Sequence, residues 1–135
     1  MTKIHAVYEG NLRCTLTHEE SGSTIATTAP KDNGGTGERF SPTDLFAASL
    51  ISCMLTIMGL AARKHKIAME GTTAEIEKTM SLNPRRVGKL AVAIYVPAGV
   101  PVDKRIVLEE AAHTCPVHHS LHPDIEVVLQ FIYAE

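Results

Sequence analysis

The chain contains no tryptophan, and only three tyrosines and three phenylalanines among its 135 residues. That leaves little to stack on nucleic-acid bases. A formal net charge of −2 gives no basic footprint for nucleic acid or for an anionic membrane. Three cysteines are an odd number, which argues against a stapled secreted domain. The opening residues, Met1-Thr-Lys-Ile-His-Ala-Val-Tyr-Glu-Gly10, lack the apolar core and small-residue cleavage site of a signal peptide. Gly34-Gly35-Thr36-Gly37 has neither P-loop nor dinucleotide-fold spacing and reads as a flexible connection. No G-x-S-x-G supports a serine hydrolase. Cys115 with His118 and His119 is one close-spaced group without a second, so no metal site is expected, and no cofactor is implied.

What is present is apolar material. The hydrophobic content of 44% suffices for a core without disulfides, and the length suits one domain over residues 1–135. Leu45 to Ala62 carries no formal charge and reaches the lower edge of a bilayer-spanning length. Ser49, Ser52, Cys53, Thr56 and Gly59 interrupt it, and no aromatic belt flanks it. The expectation is a buried helix of a soluble, cytoplasmic protein, with no membrane partner. In that reducing compartment a cysteine pair is catalytic more often than structural.

Three strands are expected first, over Lys3–Tyr8, Asn11–His18 and Ser23–Thr28, with turn signals at Glu9-Gly10 and Glu19–Gly22. A helix then runs from Ser41 to about Lys66. Ser41 suits its cap, Pro42 its first position, and Asp44 the positive end of its dipole. This helix is apolar nearly all round and should be buried on several sides. A single short chain has limited material to cover it, which predicts a homodimer. Strands follow over Thr72–Leu82 and Lys89–Val96, the latter with Leu90, Val92, Ile94 and Val96 on one face. A helix over Val102–Thr114 turns Val107, Leu108, Ala111 and Ala112 inward. A helical turn over Pro116–Leu121 precedes a final strand, Ile125–Tyr133. The order βββ-α-ββ-α-β indicates an α+β fold with mainly antiparallel sheet.

Cys53 lies in mid-helix, where a thiol is ordinarily a small buried apolar residue. A reactive thiolate there needs a cation or a hydrogen-bond donor from elsewhere. Cys115 precedes Pro116. A sulfur capping that turn would meet free backbone N–H groups, and with His113, His118 and His119 nearby its pKa would fall. Cys14, beside Arg13 on a strand, reads as incidental. Arg13, Arg39, Glu38, Asp44 and His18 are the polar residues worth following. A guanidinium near Cys53 would hold its thiolate, and a carboxylate would hold the guanidinium.

Two segments resemble the OsmC/Ohr family of thiol-dependent hydroperoxide reductases. Phe40-Ser-Pro-Thr-Asp-Leu-Phe-Ala-Ala-Ser-Leu-Ile-Ser-Cys53 is similar to the family's N-P-E-x-L-x-x-A-x-x-x-x-C helix. Ala112-His-Thr-Cys115-Pro-Val is similar to its A-x-x-C-P segment. The resemblance implies an intertwined homodimer, with long central helices between curved sheets and active sites at the dimer interface. It implies a peroxidatic Cys53, a resolving Cys115 and a supporting arginine, for which Arg13 is preferred over Arg39. The substrate implied is a small organic hydroperoxide, reduced as part of oxidative-stress defence, and the electron source a dithiol reductant such as a lipoylated protein. One departure stands out. The position of the family's glutamate falls on Thr43, and Asp44 or Glu38 would have to substitute. That departure keeps open an alternative, a non-enzymatic redox sensor or apolar-ligand-binding protein on the same fold.

Overall fold

The computed structural model describes residues 1–135. The chain forms two compact units, Met1–Phe46 and Ala47–Glu135.

The first unit is an antiparallel meander of β1 (Ile4–Gly10), β2 (Arg13–His18) and β3 (Thr24–Thr28). The β1–β2 reversal falls one step later than the Glu9-Gly10 signal suggested. Gly10 pairs with Arg13, and Asn11 and Leu12 make the turn at φ 54° and 58°. Two consecutive positive φ values are the signature of a two-residue hairpin turn whose twist matches the strands. Leu12 is a poor residue for that conformation, which is why composition pointed elsewhere. The glycine loop is a packed segment rather than a loose tether. A short 3₁₀ turn at Lys31–Asn33 leads into it, and the Gly35 N–H donates to the Pro30 carbonyl at 2.9 Å. A Cβ on Gly35 would lie 1.8 Å from the Ala29 carbonyl oxygen, so only glycine fits there.

Helix α1 spans Pro42–Lys64. Its start is a reciprocal cap. The Asp44 N–H donates to Ser41 Oγ at 3.0 Å, and the Ser41 N–H donates to Asp44 Oδ2 at 3.0 Å. That is the capping-box arrangement, with aspartate in the glutamate role.

In the second unit, β4 (Thr73–Ser81) pairs antiparallel with β5 (Arg86–Val96), which pairs in parallel with β6 (Glu126–Tyr133). The parallel pair requires a crossover. It is made by a 3₁₀ turn at Val102–Lys104, by α2 (Arg105–Ala112) and by the four-residue α3 (Pro116–His119). The expected helix over Val102–Thr114 is thus shorter, beginning in 3₁₀ form. The core gathers Ala47, Leu50, Met54, Met58 and Ala62 of α1 with Val87, Leu90, Val92, Ile94 and Val96 of β5, and with Leu108 and Ala112 of α2. Ile76 and Met80 of β4 and Val127, Leu129 and Phe131 of β6 pack against it half-buried. The face expected for β5 is the one buried.

The expected shortage of covering material for α1 is visible in the single chain. Its buried residues form one stripe at helical spacing, Ala47, Leu50, Met54, Met58 and Ala62, while Phe46 and Leu60 stand exposed. Within a single chain the helix is covered on one side only, because one three-stranded sheet and a short helix present only one apolar layer to it.

Candidate active site

Cys53 occupies the middle of α1, next to the buried stripe and half-buried itself. Cys115 caps α3. It lies within the crossover between α2 and α3, one residue before the proline that opens α3, and it is fully buried. The second unit brings the two side chains together: the thiols share a hydrogen bond, and both are free rather than disulfide-linked. Residues distant in sequence thus meet because α1 and the crossover pack on the same face of one sheet.

The Cys115 sulfur has a defined seat. It accepts the His118 backbone N–H at 3.4 Å, and the Val117 N–H also points to it. The cap reading therefore holds in geometry, but the acidity inferred from it is reversed. Burial raises the Cys115 pKa above its ordinary value, the hydrogen bond with Cys53 raises it further, and the two backbone N–H groups only partly offset this. His118 does not supply a cation to it. Burial lowers the His118 pKa, and the mutual repulsion of His118 with His119 and His113 lowers it again. His118 Nδ1 is buried without a hydrogen-bond partner. The pair is thus asymmetric: one thiol is accessible, and the other is kept in its S–H form.

The remaining predicted residues belong to the first unit. Arg13 begins β2 and lines a cleft of about 630 Å³ together with Glu9, Asn11, Leu12, Thr28 and Glu38. Its ion-pair partner is Glu9, with Nε to Oε1 at 3.8 Å. Glu9 Oε1 also accepts from Thr15 Oγ1 at 2.7 Å. Glu9 was not among the carboxylates sequence reasoning proposed. The signal was available: the two residues flank the Gly10–Leu12 turn, where a hairpin sets their side chains close. Glu38 shares the cleft, and its N–H bonds Thr36 Oγ1. Asp44 takes part in the α1 cap. His18 closes the β2–β3 turn, with Nδ1 2.7 Å from Ser21 Oγ. Arg39 is exposed, and its backbone N–H is held by Thr28 Oγ1. Cys14 pairs across the sheet with Tyr8 and Thr27.

No cluster of histidine, cysteine or carboxylate side chains in the structure could hold a metal ion. What the thiol pair can do is two-electron redox chemistry: one sulfur attacks and the other closes a disulfide.

The family model described as OsmC-like protein matches residues 35–130, a span that contains both cysteines. A candidate osmotic stress induced and detoxification response protein from Psychrobacter arcticus is 45% identical, with 97% of this chain and 96% of that one covered and a TM-score of 0.91. An organic hydroperoxide resistance protein from Elizabethkingia anophelis, with thiocyanate bound, is 22% identical, covers 99% and 96%, and gives a TM-score of 0.76. An organic hydroperoxide resistance protein from Legionella pneumophila is likewise 22% identical, covers 98% and 96%, and gives 0.73. The α+β arrangement of two three-stranded sheets and a long helix is the fold of these structures. Matched by the family model over most of its length, the chain belongs to the OsmC-like protein family.

Proposed function

We propose that this protein is a dithiol-dependent peroxidase that reduces organic hydroperoxides. The observation that carries the reading is the hydrogen bond between Cys53 and a Cys115 thiol that burial keeps protonated. The Cys53 thiolate attacks the distal oxygen of the hydroperoxide, releases an alcohol and becomes a sulfenic acid. Cys115 condenses with it to a disulfide, with loss of water. An external dithiol, such as a lipoylated protein, restores both thiols by exchange. The apolar residues along α1 favour a substrate with a carbon tail over hydrogen peroxide.

Arg13 is assigned to hold the Cys53 thiolate, with Glu9 as its carboxylate partner in the place the family fills with glutamate. The half-covered α1 and the exposed apolar residues Ile4, Val7, Tyr8 and Ile25 of the first sheet support a homodimer, in which a second copy covers them. A cytoplasmic setting fits the two free thiols.

Turnover of cumene hydroperoxide with dihydrolipoate tests the reading. Cys53→Ser should abolish it, and a variant as fast as the parent would overturn the mechanism. Thr43, where the family has a carboxylate, favours one second reading, a redox sensor. In that case stopped-flow mixing would give slow, stoichiometric oxidation that no dithiol converts to turnover.

A further inference from the structure

Cys115 is carried by the crossover, so whatever fixes the end of α2 also fixes the sulfur. The Cys115 N–H donates to the carbonyl of Ala112, the last residue of α2, at 3.4 Å. Thr114 bonds back to the Ala111 carbonyl twice, through its N–H at 2.9 Å and its Oγ1 at 2.7 Å. The helix that holds this turn has eight residues and fully buries two of them, Leu108 and Ala112. Val107 packs half-buried beside them. A helix this short has little stability of its own. Apolar burial is non-directional, so these contacts set how closely α2 lies on the core and constrain its rotation only loosely.

A polar flank of the same helix supplies the missing constraint. Arg105 and Glu109 lie one turn apart on α2, and both meet Tyr133, the last residue of β6. The Tyr133 hydroxyl donates to Glu109 Oε2 at 2.7 Å and lies 3.5 Å from the Arg105 carbonyl oxygen. The Arg105 guanidinium covers the Tyr133 ring, 4.2 Å from its centroid. Its Nε is buried without a hydrogen-bond partner, so on that side the ring takes the place of an acceptor. All three side chains are half-buried. Burial and then Glu109 push the Tyr133 pKa up, with Arg105 opposing, so the hydroxyl stays a donor. The sheet seats Tyr133 in turn. It pairs with Val96, the last residue of β5, and the Ala134 N–H donates to the Val96 carbonyl at 2.9 Å.

We propose that Tyr133 is a positioning residue for the thiol pair: through Glu109 and Arg105 it holds α2 in the rotation that keeps the Cys115 sulfur against Cys53. The inference rests on the dithiol reading of the pair and deepens it. Tyr133 touches neither sulfur and takes no part in the bond changes. Its bond to Glu109 is short and charge-assisted, hence stronger and more directional than apolar contact. Without the hydroxyl, a half-buried carboxylate is left with no donor. It turns toward water, α2 rolls with it, and Cys115 rolls with α2.

The experiment reads the Cys53–Cys115 bond directly and needs no hydroperoxide. Full-length protein carrying Cys14→Ser, so that only the pair reports, is equilibrated with glutathione buffers at neutral pH. Two glutathione thiols reduce the protein disulfide to two cysteine thiols and become one glutathione disulfide. Two electrons and two protons pass to the protein. Thiol counting then gives the effective concentration of one sulfur at the other. Tyr133→Phe keeps the ring under Arg105 and removes the bond to Glu109. It should lower the effective concentration about 10-fold, within the roughly 100-fold that a misplacement of about 1 Å can cost. That fall is a rise of about 30 mV in the reduction potential of the pair. Glu109→Ala should do the same, the two together should add nothing further, and Glu109→Gln, which keeps an acceptor, should restore most of the parent value.

Ile76→Val, on β4 and half-buried against the core, is the control for stability alone. It should lower the urea midpoint and leave the potential unmoved. An unchanged potential in Tyr133→Phe overturns the proposal, and so does an equal shift in Ile76→Val. If Tyr133→Phe does not fold, Glu109→Ala against Glu109→Gln decides the matter, and equal potentials in those two overturn it. A parent that forms no Cys53–Cys115 disulfide at any buffer ratio overturns this proposal and the dithiol reading together. The expected shift in a protein that turns over no hydroperoxide upholds the positioning role and removes only the peroxidase reading.

Discussion

The two sheets of this molecule are both three-stranded, yet they live under different conditions. In the C-terminal sheet, β5 buries five side chains against α1 and α2, and its neighbours on either side turn alternate residues inward. In the N-terminal sheet, every residue of β1 from Ile4 to Glu9 is exposed, including Ile4, Val7 and Tyr8. A sheet needs an apolar face packed on something to be stable. One sheet finds its covering layer within its own unit. The other carries apolar side chains without one, and the first sheet is also where Arg13 sits. The contrast suggests a division of labour. The second unit fixes the thiols by internal packing, while the first presents polar groups and an apolar surface outward.

The contrast is best tested at its core. Met54→Ala empties a fully buried position in the α1 stripe and should cost about 2–5 kcal/mol. Val7→Ala, on an exposed strand, should cost under about 0.5 kcal/mol for an isolated chain. Urea denaturation measures both. A cost at Val7 approaching that at Met54 would show that the N-terminal sheet is covered in solution, as the proposed dimer requires. Ser41→Ala removes the acceptor for the Asp44 N–H and should destabilise α1 by about 1 kcal/mol in the same assay. The smallest structural effect belongs to Glu9→Gln. Its pair with Arg13 is solvent-exposed and worth under about 1 kcal/mol. Hydroperoxide turnover should nonetheless fall more than stability does. Equal turnover in parent and variant would remove Glu9 from the proposed site.

Much of the second unit was legible in sequence, because its periodicities are clean. Leu90, Val92, Ile94 and Val96 alternate on a strand that is buried on one face, and the pattern translates directly. The start of α1 could be read from Ser41, Pro42 and Asp44 because capping is local chemistry. Three things were not legible, each for a physical reason. Alternation says nothing of strand direction, so the parallel β5–β6 pair was invisible. Leu12 at positive φ hid the first turn behind a residue that seldom adopts it. The acidity of Cys115 was misread because a proline turn among histidines looks wet and electropositive, whereas the tertiary structure buries it. The meeting of the two thiols was implied by resemblance alone, since no local pattern measures distance across a fold.

The parallel seating of β6 beside β5 has a consequence for the order of events during synthesis. Such a ladder cannot zip until its last strand has emerged, and the stretch bearing Cys115 is the connection that this zipping pulls taut. Chains are made from the N-terminus and their structure follows in that direction. A ribosome-bound chain therefore displays Cys53 long before a second sulfur is delivered to it. The thiol pair that the proposed reaction needs is therefore complete only after β6 has been made, and a product that stops short of it is chemically half a tool.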